Sequence, residues 1–128
     1  MNNPKDLSPL TLAFLGDSVF ELLVREMLVN EANRPSAEFH TEKIKFVSAA
    51  AQAKAFKIIE PDLTDAELAI FKRGRNAHTT NTPKNMSSAD YHTATGIEAL
   101  FGFLYLSGEK DRLRELFLKI WTNTNKKQ

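Results

Sequence analysis

No cysteine occurs in the 128 residues, and histidine appears only three times. The first absence excludes disulfides, zinc–thiolate centres and thiol catalysis; the second argues against a histidine-rich metal centre. The opening Met1-Asn2-Asn3-Pro4-Lys5-Asp6 lacks the charged and apolar regions of a secretory leader. No apolar run is long and unbroken enough to span a bilayer comfortably, so a cytoplasmic protein with no membrane partner is expected. Net charge is almost absent too, at +1, and by itself speaks neither for nor against a nucleic-acid partner. What remains is 42% apolar and 26% charged residues, an ordinary composition for one folded domain spanning 1–128 with a real core.

The charge that is present is segregated. Asp6 to Glu31 carries five acids against Arg25 alone, whereas Leu68 to Ala89 carries Lys72, Arg73, Arg75 and Lys84 with no acid. An acidic helix and a basic loop in one small domain are what a metal-dependent enzyme acting on a polyanion needs.

Between Tyr91 and Ser107 the only formally charged residue is Glu98, in a segment whose apolar positions run round every side of a helical wheel. Such a helix is enclosed by its neighbours, and a carboxylate inside it is costly unless paired or ligating. Gly102 lies one turn beyond, where glycine costs about 1 kcal/mol against alanine and permits close approach of another backbone. A second segment, Leu12-Ala-Phe-Leu-Gly-Asp-Ser-Val-Phe-Glu21, repeats the pattern. At 100° per residue, Asp17 falls in a stripe of Leu10, Ala13, Phe14, Phe20, Val24 and Leu28, directly after Gly16. Crossing the two helices at their glycines brings Asp17 close to Glu98. Two ionised carboxylates need a cation between them, and an all-oxygen site suits Mg²⁺, with Mn²⁺ as a substitute. The plainer reading ties each acid to an arginine or a helix terminus. Glu21, one turn after Asp17, either supports the ligands from outside or is simply solvated.

The remaining punctuation is all helical. Ser8-Pro9 starts a helix that runs to about Asn30, and Ser36 caps a second. Residues 38–59 read as helix with Phe39, Ile44, Phe46, Val47, Ala50, Ala53, Phe56 and Ile59 buried, and Ser48 is a plausible internal cap. Thr64-Asp-Ala-Glu67 is a capping box. His78 to Ser88 is an exposed loop, Ser107-Gly108 ends the Glu98 helix, and Glu109 to Thr122 forms a last amphipathic helix with Leu113, Phe117 and Trp121 in the core. A polar tail follows from about residue 123. The class is all-α, a helical bundle with a central buried helix.

Leu15-Gly-Asp-Ser-Val-Phe-Glu21 resembles the signature helix of the ribonuclease III family, and Ile97-Glu-Ala-Leu-Phe-Gly102 resembles its second catalytic helix. Phe71-Lys-Arg-Gly-Arg-Asn-Ala-His78 and Thr82-Pro-Lys-Asn85 look like the basic connector of that family's short bacterial branch, Mini-ribonuclease III. The resemblance covers roughly Leu10 to Leu106, and no double-stranded-RNA-binding domain is expected after it. It implies the fold of the ribonuclease III endonuclease domain and a homodimeric, Mg²⁺-dependent endonuclease of double-stranded RNA. For the short branch it implies maturation of precursor 23S ribosomal RNA. Catalysis and metal binding then fall to Asp17 and Glu98. Full-length family members carry further acids where this chain has Ala13 and Thr95, which leaves the number of cations open. Lys72, Arg73, Arg75, Asn76, His78, Lys84 and Asn85 are the candidate phosphate and ribose contacts, the bland alternative being a solvated loop. His40 and His92 receive no role. Some apolar residues of the first helix (Phe20, Leu23, Val24) are candidates for the dimer interface. Two rival functions stay open: a catalytically silent scaffold that binds structured RNA, and a helical protein-interaction module.

Overall fold

The computed structural model describes residues 3–77 and 87–125, and these form six α-helices with no strand among the described residues. Ser8 opens α1 (Pro9–Glu31): its hydroxyl oxygen accepts from the Thr11 N–H at 3.1 Å, and Pro9 fills the first turn, where its missing N–H costs nothing. α2 (Ser36–Val47) begins after Pro35, so Ser36 is its first residue rather than its cap. Ser48 does divide the helical run, accepting from the Ala51 N–H at 3.2 Å to cap α3 (Ala49–Ile59). Thr64 and Glu67 make the full reciprocal capping box at the start of α4 (Asp65–Arg75). α5 (Ser88–Leu106) is capped by the Ser87 hydroxyl. It ends in a turn whose Gly108 and Glu109 N–H groups donate back to the Tyr105 and Leu104 carbonyls, with Gly108 at φ 74°. α6 (Lys110–Asn125) completes the chain, and most of the loop expected at 78–88 lies outside the described residues.

α5 is the central element. It packs against α1, α3, α4 and α6, and Ile97, Ala99, Leu100 and Phe101 are buried on successive sides of it. Around it Phe20 meets Phe101 and Phe117 edge-on, Phe46 stacks on Trp121, and Phe56 stacks on Phe71. Leu113, Phe117 and Trp121 are core residues as expected. A guanidinium clamp closes one side. Arg112 grips the buried Glu67 through two hydrogen bonds of 2.8 Å and donates further to the Asp62 carbonyl and Glu115.

Several expected positions differ. Phe14 is 84% exposed and Leu10 also faces solvent, so the buried stripe of α1 is Leu12, Ala13, Gly16, Val19, Phe20, Val24 and Leu28. Phe20 and Val24 are core, wrapped by α5 and α6, and are therefore not interface residues; Leu23 is only partly buried. Ile44 and Ala50 are exposed on the outer faces of α2 and α3. A helix packed on one side only buries a narrow stripe, and single-sequence periodicity assigned these too broad a one.

α1 and α5 cross at the two glycines. A methyl group at Gly16 would collide with the Glu98 carbonyl oxygen and come within 2.8 Å of Gly102 N; one at Gly102 would collide with the Leu12 carbonyl oxygen and come within 3.1 Å of Gly16 N. The obstacles are backbone, which cannot swing aside. Gly102→Ala is therefore expected to destabilise the fold by about 1–3 kcal/mol, outweighing the roughly 1 kcal/mol that alanine gains in a helix. Urea unfolding, read as a lower midpoint at unchanged slope, checks this.

Candidate active site

The glycine crossing sets Asp17 and Glu98 face to face. Asp17 follows Gly16 on α1, Glu98 carries the carbonyl that Gly16 abuts, and the two carboxyls lie within hydrogen-bonding reach. Asp17 is exposed and Glu98 partly buried, so the pair forms a site with one open side rather than two interior charges as the stripe implied. A surface depression lined by Asp17, Ser18, Glu21, Leu22 and Arg25 adjoins it.

Neither acid has a cationic side chain paired with it among the described residues. Burial first, and then the charge of Asp17, pushes the Glu98 carboxyl up to about 8. In the bare protein the pair is therefore reconciled by a proton on Glu98. The arginine-tied alternative fails for both residues.

One partner of Glu98 escaped the sequence reading. Gln52 of α3 is 2% exposed, and its Nε2 donates to the Val47 carbonyl at 3.1 Å and to Glu98 Oε2 at 3.4 Å. Its Oε1 is buried with no partner among the described residues. The signal was present. Gln52 falls three and seven residues before the buried Ala55 and Ile59, on the same helical face, and a glutamine there is out of place unless something polar awaits it.

Glu21 is engaged by other groups. It accepts from Arg25 Nε at 2.8 Å and lies 3.5 Å from Lys43 Nζ. Burial works to raise its carboxyl, but the Arg25 hydrogen bond and the charges of Lys43 and Arg25 together hold it below its ordinary value. The positions of the missing family acids are also filled. Ala13 joins a small apolar cluster with Leu12, Ile70 and Ala99, and the Thr95 hydroxyl donates to the Tyr91 carbonyl. Among the described residues no three acids or histidines converge.

The basic residues have mixed employment. Lys72 is exposed near the end of α4. Arg73 donates to the Leu7 carbonyl at 3.1 Å and to the Lys5 carbonyl, tying α4 to the segment that precedes α1. Arg75 lies over the Phe71 ring and donates to the Asn76 side chain at 3.2 Å. His78, Lys84 and Asn85 lie outside the described residues.

Residues 10–109 match the Ribonuclease III domain family. A Thermoanaerobacter protein named Mini-ribonuclease 3 is 46% identical over 110 residues, covering 86% of this chain and 78% of its own. Proteins of the same name from Symbiobacterium thermophilum and Staphylococcus aureus are 42% and 39% identical, covering 89% and 98% of this chain and 88% and 96% of theirs. A crystal structure of a Fusobacterium nucleatum protein superposes with a TM-score of 0.85 at 27% identity, covering 96% of this chain and 98% of that one.

The raised Glu98 value carries a stability consequence. In the unfolded chain this carboxyl titrates near 4.5, and in the folded protein at about 8. Between those values the fold holds a proton that the unfolded chain has released, so the contribution is full below the lower value and is lost as pH climbs through the upper. Without divalent cations, Glu98→Gln should flatten this slope and exceed the wild-type chain in stability at pH 8 by on the order of 2 kcal/mol. Denaturant melts in EDTA at pH 5 and pH 8 read the difference.

Proposed function

The chain belongs to the ribonuclease III family of double-stranded-RNA endoribonucleases, and on that premise we propose that it hydrolyses its substrate's phosphodiester bonds with Mg²⁺ held by Asp17 and Glu98. The observation that carries this reading is the apposition of two carboxyls, one of them open to solvent, with no cationic side chain within salt-bridge distance of either among the described residues. The donor set fits: two carboxylates would offer hard oxygens to a hard cation. When bound, the cation acidifies a water and neutralises charge on the phosphate.

The chain's own residues do the rest. Glu98, its proton released to solvent, would present a carboxylate to the cation, and Asp17 holds the open side of the site, where a phosphate can reach it. No side-chain nucleophile is needed, in keeping with a chain that has no cysteine. Lys72 and Arg75 supply positive charge at the end of α4, with His78, Lys84 and Asn85 continuing the same segment in sequence. Double-stranded RNA presents phosphates and 2′-hydroxyls rather than readable base edges, so such residues grip by shape and charge.

The finer reading is a cytoplasmic homodimer that matures precursor 23S ribosomal RNA. The substrate is what the resemblance to the family's short branch implies, and relatives named Mini-ribonuclease 3 at 46% and 39% identity support membership of that branch. The dimer is supported by Leu10, Phe14, Leu22 and Val29, apolar residues of α1 that remain exposed. Among the described residues no helix is long and apolar enough to cross a membrane.

The decisive test incubates the protein with long duplex RNA and with precursor 23S RNA, in Mg²⁺ and in EDTA. Asp17→Asn is expected to keep its fold and its RNA binding while losing cleavage by about a hundredfold or more, the scale of removing one group that stabilises transition-state charge. Mg²⁺ should raise the melting temperature of the wild-type chain but not of the variant. Binding without cleavage by the wild-type chain would instead favour the scaffold reading. Replacing Lys72 and Arg75 together by alanine should lower the slope of log affinity against log salt by about 1–2. Filter binding at several salt concentrations measures that slope, and an unchanged one removes these residues from the phosphate contacts.

A further inference from the structure

Gln52 is the one polar side chain that α3 drives into the interior beside the carboxyl pair, and packing alone does not account for it. Its neighbours along the helix are Ala49, Ala50, Ala51 and Ala53, and the positions that share its face, Ala55 and Ile59, are apolar. A leucine would fill the same space without burying an amide. The orientation of that amide is fixed by chemistry. With Nε2 inward it donates to the Val47 carbonyl and to Glu98 Oε2; reversed, its oxygen would confront both acceptors. The forced consequence is a buried Oε1 with no partner among the described residues, a cost that calls for a compensating role.

We propose that Gln52 is a positioning residue for metal binding, holding Glu98 Oε2 from the α3 side so that the carboxylate stays turned toward Asp17. Anchorage of the same nitrogen to the Val47 carbonyl, at the break between α2 and α3, sets the amide against a fixed point of the backbone. Without it, Asp17 is the one polar side chain among the described residues that engages Glu98, which is left to turn on its three side-chain torsions. Partners that orient a ligand in this way commonly change metal affinity or activity by about 10–100-fold when removed. The inference rests on the assignment of Asp17 and Glu98 as ligands and goes beyond it by naming the group that aims one of them.

The test uses Mg²⁺ alone and then duplex RNA. In Gln52→Leu, the Mg²⁺ concentration giving half-maximal thermal stabilisation should rise at least fivefold, and kcat should fall at least tenfold with KM for RNA within twofold. A Gln52 that merely staples the α2–α3 break would lower the melting temperature yet leave the Mg²⁺ midpoint and kcat within twofold, and that result overturns the proposal. Should the variant not fold, the wild-type chain still decides: the side-chain amide resonance of Gln52 is expected to shift with Mg²⁺ in step with the thermal midpoint, and an amide that ignores bound Mg²⁺ overturns the proposal. A wild-type chain that shows no Mg²⁺-dependent stabilisation at all overturns the ligand assignment and this inference together, which separates the two failures.

Discussion

Backbone contact between α1 and α5 is the constraint on which the site depends. Helices carrying ordinary side chains stand about 8–10 Å apart, and acids the length of Asp17 and Glu98 would then reach for one another from a distance. Here Gly16 sits against the Glu98 carbonyl and Gly102 against the Leu12 carbonyl, with no room for a Cβ at either. The glycines thus set both the interaxial approach and the register, since sliding either helix by one turn would bring a side chain into the crossing. Each acid lies one turn or less from its glycine, so the geometry of the pair is fixed by backbone rather than by the rotamers of long side chains.

That geometry runs against stability. Burial, with Asp17 alongside and no cationic side chain within salt-bridge distance among the described residues, obliges Glu98 to hold a proton well into the neutral range. Elsewhere the same fold shows how it treats an acid meant for structure. Glu67 closes the capping box on Thr64 and takes two hydrogen bonds from Arg112, and those bonds keep its carboxyl low. Glu21 is likewise flanked by Arg25 and Lys43. Glu98 has no such partner among the described residues, and the contrast within one small domain separates a carboxylate kept charged by its neighbours from one held protonated by burial and a second acid.

Much of this was legible because the signals were local. The Ser8, Ser48 and Thr64 caps, the glycine at the end of α5, and the two acid-plus-glycine segments are each encoded within a few residues, and helix ends obey such chemistry. The central helix was also visible, since residues apolar all round have nowhere to go but inside. What failed to show was tertiary in origin. Phe14 and Phe20 look alike on a helical wheel, yet one is 84% exposed and the other lies at the centre of the aromatic core. The partners that separate them sit on α5 and α6, far along the chain. Gln52 was hidden for the same reason: its meaning comes from Glu98, 46 residues later.

A protein with a net charge of +1 that acts on a polyanion must rely on where its charges stand. The acids of α1 repel phosphate, so attraction has to come from another element held at a fixed offset. α4 meets that need. It docks on α5 where Gly74 comes within 2.9 Å, measured from an added Cβ, of the Gly96 backbone, and Arg73 ties its last turn to the carbonyls ahead of α1. Lys72 and Arg75 are therefore carried on a helix braced against both α1 and α5, the helices that bear the carboxyl pair, rather than on an independent arm. On this arrangement Arg73 differs from its neighbours, for its guanidinium is already committed to the brace, and its loss would displace the basic end as well as remove a charge.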